Sequence, residues 1–251
     1  MTALHELDGR VLSGLQEAFR SKIAEEIIRG NEAFAAGTIE PFRGYDPDRL
    51  GKGVLVIAEL NQESADEIHR RVSGPVRNLA EEYGIQLAIP DDGLFPPHIT
   101  VQQILMPEQD TQQFINDAVP PLAEQVWCLQ GAVIKLDTLV LSGQRAIVCV
   151  SNPTPAVSGI LRARDGISGI AGRLGGVLKT DPCIIHTSVG RISEVTNPTE
   201  LPALARSTYH QIGQPLCKEP IEARIKGVFV GSGLDYARKT GIPFNRSRRR
   251  E

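Results

Sequence analysis

His98-Ile99-Thr100-Val101 and His186-Thr187-Ser188-Val189 are the two strings that decide the fold. Each places a histidine two residues before a hydroxyl side chain, inside a segment of β character. Residues i and i+2 of a strand point to the same face. Each string therefore presents an imidazole and a hydroxyl side by side, about 6–7 Å apart along the strand. Brought together, the two would surround one small anion with two acid/base groups and two hydrogen-bond donors.

Outward from the strings, the same order of elements occurs twice. It runs strand, helix, loop, histidine strand, helix, then a strand ending in a Ser/Gly turn. In the first copy the apolar run over 53–60 predicts a buried strand. A helix over 63–83 follows, ending at Gly84, then a loop over 89–97 and the histidine strand over 98–105. The spacing next predicts a helix over 110–124 and strands over 126–135 and 138–142. In the second copy it predicts a strand over 146–150, a helix over 156–174 and the histidine strand over 183–192. A helix over 201–212 and a strand over 221–230 complete it. Before both copies stand a helix over 12–36 and a loop rich in Gly, Pro and Asp.

Duplicated units usually pack about a pseudo-two-fold axis, with ligands in the cleft between them. The reading is an α+β chain of four parts. Residues 1–52 are an N-terminal helical extension and loop, 53–145 a first lobe, 146–235 a second lobe, and 236–251 a basic tail. The N-terminal part has three open roles: covering an edge strand, pairing protomers or capping the cleft.

Bulk properties narrow the partners. The chain has 251 residues, 41% hydrophobic and 23% charged, with a formal net charge of −3. This is ordinary globular composition. With that charge no general field attracts long nucleic acid, though a local site for a short anion is compatible with it. Residues 1–10 mix charges and have no apolar core of a secretory signal, and no apolar run approaches the ~18 residues of a membrane span. Cys128, Cys149, Cys183 and Cys217 are widely spaced, which suits reduced thiols better than a disulfide framework. The expectation is a soluble, cytoplasmic protein with no membrane partner.

The paired strings resemble the signature of the 2H phosphoesterase superfamily, His-x-Ser/Thr-x with apolar x, which occurs twice in one bilobed α+β domain. His98-Ile99-Thr100-Val101 matches throughout. The second string departs at Thr187, where the family has an apolar residue; that position lies on the strand face opposite the site, so it bears on packing. The resemblance covers about residues 53–233. It implies two lobes, each an antiparallel sheet flanked by helices, around a central cleft. It also implies metal-independent hydrolysis or transesterification of a phosphodiester, often a 2′,3′-cyclic phosphate or a 2′-5′ linkage. The implied partners are a small cyclic or 2′-5′ linked nucleotide or an RNA terminus, without metal or other cofactor.

In that chemistry His98 and His186 serve as general acid and base, in an order the strings leave open. Thr100 and Ser188 donate to the non-bridging oxygens. Arg191 resembles an arginine often found after the second string; on an ideal strand its odd offset from His186 turns it away, so a site role requires a twist or bulge. Phe95, Trp127, Tyr209 and Tyr236 are aromatics able to stack a base and equally able to fill a core; Phe95 and Tyr236 are the substrate-binding candidates.

Other readings compete. Either histidine alone reads as a core or surface imidazole bonded to backbone; only the pair within the repeat argues for catalysis. Cys183 and His186 suggest zinc, but an offset of three puts them on opposite strand faces. Asp91, Asp92 and Asp181 sit in turn-rich loops and read as solvated. The glycine-rich stretch 172–180 ends a helix, whereas a phosphate loop opens one. His69 reads as solvated on a charged helical face, and His5 and His210 have no partner in either repeat. Two further functions fit the same groups: 2′-5′ RNA ligation, and a non-catalytic nucleotide- or RNA-binding module.

Overall fold

The computed structural model describes residues 9–42, 53–88, 97–107, 110–111, 113–117, 126, 129–143, 145–152, 154–173, 175–178, 184–232 and 242–244. Within them the chain is α+β, with two antiparallel sheets flanked by helices. Helix α1 (Gly9–Ala36) precedes β1 (Val54–Leu60). Helix α2 (residues 62–82) leads to β2 (Ile85–Ala88) and β3 (His98–Leu105). β4 (Val133–Leu136), β5 (Thr138–Ser142) and β6 (Arg145–Cys149) come next. Helix α3 (Pro155–Arg173), β7 (Val177–Leu178) and β8 (His186–Val195) follow. Helix α4 (residues 201–218), β9 (Ile221–Gly231) and β10 (Ile242–Phe244) complete the described elements.

The first sheet has the order β10-β9-β1-β3-β7, with β4 also paired to β9, and the second the order β2-β8-β6-β5. With β1 matched to β6 and β3 to β8, the run β9-β1-β3-β7 repeats as β5-β6-β8-β2. Each sheet thus draws strands from both halves of the chain, so the sheets do not divide at residue 145. The reason is local. Ser142 pairs with Arg145, so the expected boundary falls where β5 turns back into β6, at Gly143 with φ +52°. Such a turn holds its two strands in one sheet.

The repeat reaches down to a backbone defect. On β3 the ladder with β1 runs Glu59↔His98, Ile57↔Thr100, then Val56↔Gln102 and Leu55↔Gln103, skipping Val101. On β8 the ladder with β6 runs Cys149↔His186, Ile147↔Ser188, then Ala146↔Gly190 and Arg145↔Arg191, skipping Val189. Both histidine strands therefore bulge three residues after their histidine.

Element boundaries differ from expectation where backbone chemistry intervenes. The helix expected to end at residue 212 continues to Lys218. Pro75 and Pro215, both inside helices, lack an N–H and would clash with the carbonyl four residues back. Each helix accommodates its proline with a π-turn just before it, His69–Ser73 and Tyr209–Gly213, closed by Gly74 N–H to His69 O and Gln214 N–H to Tyr209 O. The strand expected over 126–135 is confined to Val133–Leu136 because Val126 is helical and residues 129–131 form a turn. The stretch after α3 is a stop and turn, with Gly175 at φ +69°. The short strands β2, β7 and β10 are additions to the expected set.

One contiguous apolar core joins both sheets and their helices, including Phe19 and Phe34 of α1. Helix α1 lies against β5, an edge of the second sheet: a Cβ on Gly30 would stand 1.8 Å from the Leu141 carbonyl oxygen. Covering the edge is thus one of the open roles that α1 fills. The Ser142 hydroxyl donates to the Glu26 carboxylate across the same contact. Among the described residues no helix is long and apolar enough to cross a membrane.

Candidate functional site

Burial alternates along both histidine strands. Ile99, Val101, Thr187 and Val189 are fully buried, while His98, Thr100, His186 and Ser188 are half-buried. The i, i+2 rule accounts for this: one face packs into the core and the other is presented. Thr187 lies on the core face, its hydroxyl buried with no hydrogen-bond partner among the described residues.

β3 and β8 belong to different sheets but lie against one another where the sheets meet. His98 is near enough for its charge to act on His186. Helix α3 fixes this junction through Arg164, whose side chain is only 4% exposed. Its Nε donates to Val101 O at 2.7 Å, and its Nη2 to Thr100 O at 3.1 Å and Ile184 O at 3.0 Å. One guanidinium thus ties the first histidine strand to the residues that enter the second. Sequence reasoning missed Arg164, yet it left a signal: a charged residue in step with Ile160, Ile167 and Ala171 on the buried stripe of α3.

The bulges decide what else shares the face. Cross-strand partners point the same way, so Cys149, Ile147 and Arg145 lie on the side of His186 and Ser188. The extra residue at Val189 returns Arg191 to that side, opposite Arg145. The twist that Arg191 needed is present. Its guanidinium sits over the Phe42 ring, 4.9 Å from the centroid. On β3 the equivalent of Arg191 is Gln103, and the residue facing His98 is Glu59, where the second sheet has Cys149.

The two histidines therefore occupy unlike surroundings. Beside His186 lies a second apolar cluster, Ile23, Val140, Ile147, Cys149 and Ile184. Its Nδ1 is buried with no hydrogen-bond partner among the described residues. Burial first, then the charges of Arg145, Arg164, His98 and Arg191, hold the His186 imidazole down to about 3. It is neutral at pH 7. Cys149 is equally removed from solvent: burial, with the Asp137 and Glu26 carboxylates adding, pushes its thiol well above the ordinary range. It is an inert packing group.

Other candidates fall elsewhere. Phe95 and Tyr236 lie outside the described residues, as do Trp127, Cys183, Asp91, Asp92, Asp181 and His5. Tyr209 is exposed on the π-turn of α4, edge-on to His210. His69, expected to be solvated, has its Nδ1 buried because the π-turn rotates the helix face at that point. Cys217 is an exposed free thiol. Among the described residues no three His, Cys, Asp or Glu side chains are grouped to hold a metal ion.

Comparison with known proteins bears on the fold. Usb1 of Kluyveromyces marxianus, solved with uridine monophosphate, superposes with a TM-score of 0.51 over 79% of this chain and 99% of that one, at 12% identity. The fold is similar to that of Usb1. A second structure of that Usb1 agrees, with a TM-score of 0.51 over 77% and 98% of the two chains at 10% identity. The MHV ns2 PDE domain covers 57% of the chain with a TM-score of 0.40 at 15% identity, a likeness too slight to argue from. No family profile and no curated protein matches the sequence.

Proposed function

We propose that the chain is a metal-independent phosphodiesterase of the 2H type, acting on a 2′,3′-cyclic phosphate or 2′-5′ linkage of a nucleotide or RNA end. The observation that carries this is the convergence of His98 and His186, from two sheets, each with its hydroxyl neighbour on the same face. The uridine monophosphate solved with Usb1 makes a nucleotide a reasonable ligand for a fold of this kind.

The unlike surroundings favour one division of roles. His186, neutral at rest, is the base: its imidazole takes a proton from water as the water oxygen bonds to phosphorus. The P–O bond to one ribose oxygen breaks, and His98 gives that oxygen its proton, leaving a phosphomonoester. Thr100 and Ser188 donate to the non-bridging oxygens. The incoming phosphate offsets the guanidinium charge around His186 and makes it a better proton acceptor just when that is needed.

The test is hydrolysis of nucleoside 2′,3′-cyclic phosphates in EDTA. His98→Ala and His186→Ala should each lose about 10²–10⁴-fold in kcat. Full activity in either variant rules out the acid/base pair, and loss of wild-type activity in EDTA rules out metal independence. Joining of RNA halves bearing a cyclic phosphate and a 5′-hydroxyl would instead indicate the same groups working as a ligase.

A further inference from the structure

We propose that Glu59 is a positioning residue for His98: its carboxylate accepts a hydrogen bond from the imidazole and keeps that histidine loaded with the proton it gives to the leaving oxygen. This rests on the phosphodiesterase reading above and adds to it the group that makes the two histidines differ.

The strand register carries it. Glu59 and His98 stand directly opposite one another on the β1–β3 ladder, in an unbroken run with Ala58↔Ile99 and Ile57↔Thr100. Directly opposed side chains share a face, with Cβ atoms about 5 Å apart, a gap that a glutamate spans to reach an imidazole nitrogen. Both residues are half-buried, between the buried Ala58 and Leu60 on one strand and Pro97 and Ile99 on the other. On its other side Glu59 faces Gly227 of β9, where a Cβ would meet nothing within 4 Å. His98 is therefore the side chain that the ladder sets beside this carboxylate.

The second sheet shows what the glutamate adds. There the residue facing the histidine is Cys149, whose buried thiol stays protonated and offers no charge. Arg164, one of the cations that act on His186, is also bonded to the Thr100 carbonyl, two residues from His98. Its charge opposes a proton on either imidazole. Arg145 and Arg191 act in the same sense around His186. Lys226 is exposed where the β1–β9 ladder skips a residue beside Glu59, and β7 brings only Val177 and Leu178. Among these cations, a carboxylate against one histidine and a thiol against the other keep the first protonated and leave the second neutral.

The experiment is an NMR pH titration of the histidine side chains in the full chain, with the His98 signal identified by its loss in His98→Gln. In wild type its midpoint should lie above the ordinary value near ~6.5. In Glu59→Gln it should fall by about one pH unit or more; in Glu59→Asp, which keeps the charge on a shorter arm, it should fall by less. On a nucleoside 2′,3′-cyclic phosphate, the alkaline limb of kcat should move down with it in Glu59→Gln. The rate above the limb then drops about ten-fold, with KM little changed. A residue that merely packs would move neither the midpoint nor the limb. A wild-type midpoint at or below the ordinary value, a midpoint unmoved in Glu59→Gln, or an unmoved limb overturns the proposal. The wild-type titration stands even where a variant fails to fold. Should wild type hydrolyse no such substrate, the phosphodiesterase reading fails by itself, and the titration still decides the pairing.

Discussion

Replacing Arg164 by Met tests how the site is assembled. The substitution nearly conserves volume but deletes three hydrogen bonds to the carbonyls of Thr100, Val101 and Ile184. Those buried oxygens lose their donor, which costs about 1–3 kcal/mol for each one left unsatisfied and about 3–5 kcal/mol for the three together after partial relaxation. For a domain of this size that corresponds to a fall in melting temperature of about 6–20 °C. Activity should fall further than stability explains, because the bonds tie β3 to the entrance of β8 and so set the spacing of the two imidazoles. A third effect has a definite sign. Arg164 is one of the charges that hold His186 down, so its removal lets the imidazole protonate at higher pH. The acid-side limb of the kcat profile should move upward. Differential scanning calorimetry, and kcat measured from pH 4 to 8 on the folded fraction, read all three. A variant that melts within a few degrees of wild type with unchanged kcat and profile would show that the clamp argument is wrong.

Three further outcomes follow from the same geometry. The folded-state pKa of His186 is about 3, below its unfolded value near ~6.5. The unfolded chain therefore binds a proton that the folded chain does not, and stability falls as pH drops from about 6.5 towards 3, by up to about 1.4 kcal/mol per unit; urea melts of His186→Gln should show a shallower slope than wild type across this range, and identical slopes would contradict it. Thr187→Val removes a buried hydroxyl without a partner among the described residues and should stabilise by about 1 kcal/mol with kcat unchanged; chemical denaturation showing a loss of that size would refute it. Gly30→Ala gains about 1 kcal/mol of helix propensity but drives a methyl into the Leu141 carbonyl. It should therefore destabilise by about 1–3 kcal/mol in thermal melts, whereas a gain in stability would show that α1 does not lie that close to β5.

The sequence carried local facts well because they depend on near neighbours. Residues 98–105 read as a strand, and a strand they are. The β5 segment, 138–142, is likewise a strand over the expected residues. Helix α1 ends at Ala36, as the following Gly37 indicates. Thr187 on the core face follows from the period of two alone. The prolines at 75 and 215 were harder: what a helix does around a proline depends on what it packs against, and here two π-turns keep each helix going.

Long-range relations were decided by the tertiary structure. The amino-acid order by itself determined that two alike histidine strands exist, that each shows its imidazole and hydroxyl on one face, and that their flanks are core. It could not show that β2 and β7 exchange sheets, or that a buried arginine on α3 clamps the histidine strands. Nor could it show that a bulge at Val189 swings Arg191 round to the side of His186. The physical reason is that alternation and propensity act over a few residues. Strand partners, bulges and the charges around an imidazole depend on segments far apart in the chain, and exist only once those segments pack.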